Sequence, residues 1–126
     1  MKMITKAIAK KLVAADKAFL ASDDGKTSDE IAVKFFNPVG AATWYIVSAT
    51  PLGTVNGEPD YETDNPADWH MFGFANLGDP MNAELGYVLL SELKAIKGPF
   101  GLGIERDMYY SGGSLKEVMA ETKAAA

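Results

Sequence analysis

The sequence predicts an α+β domain: an antiparallel sheet of about four or five strands, with an N-terminal helix and two short helices packed on one face. Three observations predict it. A helical apolar period runs from Ile4 to Phe19. From Ile31 onward, short aromatic and β-branched runs are broken by turn residues. Those runs are joined by loops, whereas parallel strands need long crossover helices.

Ile4, Ile8, Leu12, Ala15 and Phe19 recur at three-to-four spacing, with Thr5 as N-cap and Lys6, Lys10 and Lys17 on the opposite side. The polar run Ala21 to Asp29, with Gly25, ends this helix. Ile31, Val33 and Phe35 alternate onto one face of a strand reaching Phe36. Asn37-Pro38-Val39-Gly40 is turn chemistry, and Thr43 to Val47 reads as the second strand of an antiparallel hairpin with a loop of about six residues. Thr50 to Asp68, with Pro51, Pro59 and Pro66, reads as a long exposed acidic loop. Trp69 to Phe74 resumes strand composition, placing His70, Phe72 and Phe74 on one face. Glu84 to Leu90 is a further strand, running into a short helix, Ser91 to Lys97, capped by Ser91 and stopped by Gly98-Pro99. Ile104 to Tyr110 reads as the last strand. Ser114-x-x-Glu117 is a capping box that opens a helix from Leu115 to about Glu121, leaving residues 122–126 as a fraying tail.

At 126 residues the chain has the size of one domain, 1–126. No apolar run reaches the roughly 18 residues of a membrane span, and the lysine-rich start lacks a secretory h-region. A cytoplasmic protein is expected. With no cysteine, disulfides, zinc-thiolate sites and thiol catalysis fall away together. The net charge of −5 conceals an asymmetry: residues 35–93 contain eight acids and neither Lys nor Arg. The flanks, 1–34 and 94–126, sum to +2 and +1. An acidic centre repels phosphate, which argues against duplex binding; it reads either as a solvated acidic loop or as a face that meets a basic partner. Glu58, Asp60, Glu62, Asp64 and Asp68 are the candidate partner-binding residues.

Signals for chemistry are weak. His70 is the single histidine, read as structural or as a loop-end residue. The spaced acids from Glu58 fail the EF-hand rule, since its sixth and twelfth positions are Thr63 and Trp69. Gly98-Pro-Phe-Gly-Leu-Gly103 lacks the ending of a phosphate loop and follows a helix where such a loop would open one. Glu105 and Asp107 flank Arg106, the sole arginine, but in a strand they share one face and Arg106 takes the other, so Arg106 reads as one member of a structural ion pair with a neighbouring strand or helix end. A divalent-metal hydrolase using Glu105, Asp107 and His70 is the alternative from a different class; otherwise no catalytic residue, metal or cofactor is expected. The aromatics Phe35, Phe36, Trp44, Tyr45, Trp69, Phe72, Phe74, Tyr87, Tyr109 and Tyr110 sit in acidic surroundings, so they belong to the core or to a protein-binding face rather than to a base-stacking groove.

One resemblance spans nearly the whole chain. Val33-Lys-Phe-Phe36 with Pro38, Thr43-Trp-Tyr45, Phe72-Gly73, Glu84-Leu-Gly-Tyr87, Leu90-Ser-Glu-Leu93, Gly98-Pro with Gly101-Leu102, and Ile104-Glu-Arg-Asp107 with Tyr109 occur in order. This set resembles the bacterial family catalogued as domain of unknown function 2958. The resemblance implies a setting on plasmids and other mobile elements, and no activity. The functional expectation is a non-enzymatic protein-binding accessory of a mobile element. Its concrete form is an anti-CRISPR or anti-restriction inhibitor that presents acidic surface to a host nucleic-acid-binding defence complex. A plasmid-maintenance structural factor is a further alternative.

Overall fold

Thr5 opens the first helix as expected: its side chain accepts a hydrogen bond from the Ile8 N–H at 3.3 Å, a cap contributing about 1 kcal/mol. The computed structural model describes residues 2–26, 28–54, 59 and 67–126. Along the chain it runs α1 (Lys6–Ala21), β1 (Val33–Phe36), β2 (Thr43–Leu52), β3 (Asp68–Asn76), β4 (Glu84–Leu89), α2 (Leu90–Ala95), β5 (Glu105–Arg106) and α3 (Leu115–Ala125). The strands form one sheet in the order β4-β3-β2-β1-β5, with every neighbouring pair antiparallel. The expected α+β class, the N-terminal helix and the β1–β2 hairpin are all present.

The helices do not share one face. Leu12 and Val13 of α1 and Leu90 and Leu93 of α2 pack with Val33, Phe35, Trp44, Ile46, Ala49, Trp69 and Met71. Burying a side chain such as Phe35 completely stabilises the fold by about 1.5–3 kcal/mol. On the opposite face, Leu115, Val118 and Met119 of α3 cover Val47, Phe74, Phe72 and Tyr45. The sheet is therefore buried on two sides in its middle. Ile31, expected beside Val33 and Phe35, belongs to this second cluster. It precedes the strand, and its N–H donates to Gly113 O at 2.9 Å, so strand alternation does not govern where it points.

One irregularity in β2 sets the faces. Ile46 pairs with Gly73 and Ser48 with Phe72, so Val47 is an extra residue, a β-bulge. Beyond it the alternation changes phase, so Ala49 joins Trp44 and Ile46 in the first core while Ser48 and Thr50 pair with Phe72 and His70. Opposite the bulge the strands approach so closely that a Cβ on Gly73 would lie 2.0 Å from Tyr45 O and 2.8 Å from Ile46 Cα. Only glycine fits there.

Several boundaries differ from expectation. β2 continues through Thr50, Pro51 and Leu52, which pair with His70, Trp69 and Asp68, so the loop expected over 50–68 begins later. Pro51 is tolerated because β1 pairs only with Thr43 to Ile46, leaving the far end of β2 as an edge that needs no proline N–H. Ser91 does not cap α2. The Glu92 carboxylate instead accepts from the Leu89 N–H at 2.9 Å, and Ser91 lies inside the helix. The last strand shrinks to Glu105–Arg106, because Asp107 to Tyr110 form a turn in which Tyr109 N–H donates to the Asp107 carboxylate. The capping box at Ser114 and Glu117 is present, yet α3 extends to Ala125 through the expected fraying tail, consistent with the high helix propensity of alanine.

Gly73→Ala forces the β2–β3 backbone apart and destabilises the protein by about 3 kcal/mol, the upper end for overpacking, because backbone rather than side chain must move. Urea titration checks it. Unchanged stability would mean that the bulge does not hold the two strands at this spacing.

Candidate functional site

The second face of the sheet is only partly covered. α3 crosses the end that holds Val47 and Phe74. At the other end, His70 and Phe72 of β3 stand beside Tyr87 of β4, because Phe72 is paired with Tyr87 and His70 lies one diagonal away. The His70 and Tyr87 rings are stacked, with centroids 4.5 Å apart and planes 8° apart. Phe72 leans on the same Tyr87 ring at 5.0 Å and 55°. Despite these contacts Tyr87 is 63 % exposed, and its neighbour Leu85 is 43 % exposed.

Beside the stack lies a hollow of ≈ 180 Å³, bounded by His70, Phe72 and Tyr87, by Ser48 and Thr50 from the shifted half of β2, and by Asp16, Phe19 and Leu20 of α1. Thr50 Oγ1 donates to the Asp16 carboxylate at 3.1 Å, tying the helix to the strand. The hollow offers aromatic faces, hydroxyls and one carboxylate. Such a set suits an apolar or cationic side chain better than an anion.

The acids singled out in the sequence divide. Glu58, Asp60, Glu62 and Asp64, and with them the spaced array considered for Ca²⁺, lie outside the described residues. Asp68 lies within them and is occupied internally. Its carboxylate accepts from the Trp69 N–H at 2.8 Å, from the Ser91 N–H at 3.0 Å and from the Ser91 hydroxyl. It thereby satisfies an early N–H of α2 from a neighbouring strand. Burial opposes its ionisation, but the Ser91 hydroxyl and N–H, the Trp69 N–H and the Lys94 charge outweigh that and hold its pKa below the ordinary 3.8.

Glu105, Asp107 and His70 are not brought together. His70 is on β3 and Glu105 on β5, with β2 and β1 between, about 14 Å across three strand spacings. Among the described residues, no group of three His, Asp or Glu side chains is placed to hold a metal ion. Arg106 and Asp107 instead fasten the fold: Arg106 Nε donates to Lys2 O at 3.0 Å, and Lys34 Nζ meets Asp107 at 3.6 Å. The Lys34 ammonium also lies over the Tyr45 and Tyr110 rings, 5.5 and 5.6 Å from their centroids. Burial, followed by the neighbouring Tyr45, Glu117, Glu121 and Asp107, raises the Tyr110 pKa.

Two exposed features escaped the sequence reading. The Tyr87–His70 stack depends on strand register, which no local pattern reveals. Phe100, at the tip of the Gly98–Gly103 turn, is 98 % exposed and has φ 62°, a conformation that costs a bulky residue strain.

Asp68→Asn weakens the tie to α2 and lowers stability by about 1 kcal/mol at neutral pH, the usual value of a helix cap. Because the folded pKa is depressed, this contribution is complete above the ordinary value of 3.8 and is lost as pH falls through the lower folded value. The Tm difference between wild type and variant therefore shrinks below about pH 4. A difference that stays constant down to pH 2 would mean that the Asp68 charge plays no part.

No curated protein and no solved structure matches the chain. A family match covers residues 3–125, a span that holds every element from α1 to α3. The chain belongs to the family described as "Protein of unknown function (DUF2958)".

Proposed function

We propose that this protein is a non-enzymatic protein-binding module that meets a basic partner through an acidic surface. In its concrete form it serves a mobile genetic element by occupying a nucleic-acid-binding defence complex where DNA would lie. One observation carries this reading. The base-free stretch 35–93 supplies β2, β3 and β4, which are adjacent in the sheet, while Lys34 and Arg106 stand on β1 and β5 at the other side. Within the sheet, the charge imbalance along the chain thus becomes a difference between its two sides, the lysines of α1 and Lys94 of α2 standing on the helices. Asp79 precedes β4, Glu84 opens it and Glu92 follows it in α2, while Leu85 and Tyr87 of the same strand are exposed. Apolar contact area rimmed by charge of one sign is the composition of a protein-binding surface, and the charge accelerates encounter with a partner of opposite sign.

The test is capture of partners from lysate of the source organism at low and high salt, with wild type and with a Glu58→Gln, Asp60→Asn, Glu62→Gln, Asp64→Asn variant. Asp68 is left intact because it holds α2. Wild type is expected to retain a stoichiometric nucleic-acid-binding complex at low salt and to release most of it at high salt. The variant, with unchanged Tm, loses it. Equal capture by both proteins at both salts would sink the acidic-surface reading.

A further inference from the structure

We propose that the outer edge of β4 receives an extended basic segment of a partner protein, which joins the sheet as an added strand. This rests on the protein-binding reading above and gives it a place and a chemistry. β4 is the terminal strand, and among the described residues no segment pairs with its outer side. A terminal strand presents a row of backbone N–H and C=O groups, which proteins ordinarily guard with shortness, proline, lysine or a bulge. Glu84-Leu-Gly-Tyr-Val-Leu89 is thinly guarded: it is six residues long, contains no Pro or Lys, pairs with β3 without a register shift, and carries its one charge at Glu84, with the Leu89 N–H taken by Glu92. The opposite edge, β5, is only two residues long and is flanked by charge.

The two faces of this edge differ. Leu85, Tyr87 and Leu89 lie on the face of Phe74, Phe72 and His70, their partners in β3. Glu84, Gly86 and Val88 lie on the other face. A strand added to β4 places its side chains about 4.5–5.5 Å from these residues. Apolar side chains are therefore favoured against Leu85 and Tyr87. On the other face Glu84 favours a base, and Gly86 leaves room for a long one, since a Cβ there would meet nothing within 4 Å. The matching segment alternates apolar residues with arginine or lysine.

Charge decides between such a segment and a second copy of this chain. Antiparallel pairing of two β4 strands about Gly86 and Tyr87 puts Glu84 of each copy beside the Leu89 end of the other. Glu92 stands there on the Leu89 N–H and Asp68 on Ser91, with Lys94 the one base of α2. Like charges set opposite one another destabilise strand pairing, at both ends of such a dimer. A basic strand reverses that sign.

The experiment uses three labelled peptides, acetyl-(Val-Arg)4-amide, acetyl-(Val-Glu)4-amide, and the first with alternate backbone nitrogens methylated. Fluorescence anisotropy gives Kd, and hydrogen exchange reports residues 84–89. The Val-Arg peptide is expected to bind and to slow exchange at 84–89, with the Val-Glu peptide at least about tenfold weaker. Methylation, which removes ladder hydrogen bonds, abolishes the protection. E84K weakens the Val-Arg peptide about threefold or more while keeping wild-type Tm. Equal binding of the methylated peptide overturns the proposal, because charge alone would then explain it. Protection of 84–89 that grows with protein concentration, without peptide, overturns it in favour of a second copy. A natural partner captured equally by wild type and E84K, with 84–89 unprotected in the complex, overturns the edge assignment and leaves the protein-binding reading standing. Failure to capture any partner, with peptide still bound at β4, strikes that reading instead.

Discussion

The fold turns on an extra residue in a central strand. β2 must contribute to two cores, and a strand in strict alternation cannot pass Trp44 and Ile46 to one core and then Ala49 as well. Val47, unpaired opposite the Gly73–Phe72 step, changes the phase and is itself buried against α3. The change is possible because Gly73 has no side chain to collide with the Tyr45 carbonyl. Without it, Ser48 and Thr50 would point into the first core and Ala49 would be spent on the second face. The bulge therefore sets both packing and site: it delivers Thr50 to Asp16 and Ser48 to the hollow beside the His70–Tyr87 stack.

From this follows where the second face stays open. α3 is fixed beside β1, where Leu115 N–H donates to Asp29 O at 2.8 Å and Lys116 N–H to the Asp29 carboxylate at 3.1 Å. From that anchor it covers Val47 and Phe74 and reaches Ala83, before β4. His70 and Tyr87 lie beyond its reach and stack on each other, with Phe72 leaning on the Tyr87 ring. A stacked pair of this kind gains about 0.5–1.5 kcal/mol beyond its buried area, which favours one arrangement of the two rings where no layer covers them.

How much of this was legible depended on how local each signal is. The helix at Ile4 to Phe19 and the capping box at Ser114 and Glu117 rest on contacts three or four residues apart, and both are found. The strand cores from Val33 to Phe36, Trp69 to Phe74 and Glu84 to Leu89 carry enough aromatic and β-branched residues to be seen. The bulge was invisible because Thr43 to Val47 is apolar or β-branched at nearly every position, so a phase change leaves no mark in the pattern. Pro51 masked the second half of β2, since proline breaks a strand only where its N–H is needed. The assignment of helices to faces, like the His70–Tyr87 stack, depends on pairing between segments far apart in sequence.

The acids show why charge counted along a chain does not by itself define a binding surface. Asp68 belongs to the base-free stretch, yet its carboxylate is consumed by Ser91 and Trp69, and Glu92 spends one oxygen on the Leu89 N–H. These two stabilise the β4–α2 junction whatever the partner. The hydrogen bonds that Asp68 accepts favour its ionised form, so it keeps its charge while it caps. Such carboxylates are also held in place, so a cation that meets them need not order them first. Structural duty and electrostatic attraction are then compatible at the same atoms. The mutations that separate them preserve the hydrogen bond and remove the charge, as Asp68→Asn does in part, rather than removing the side chain.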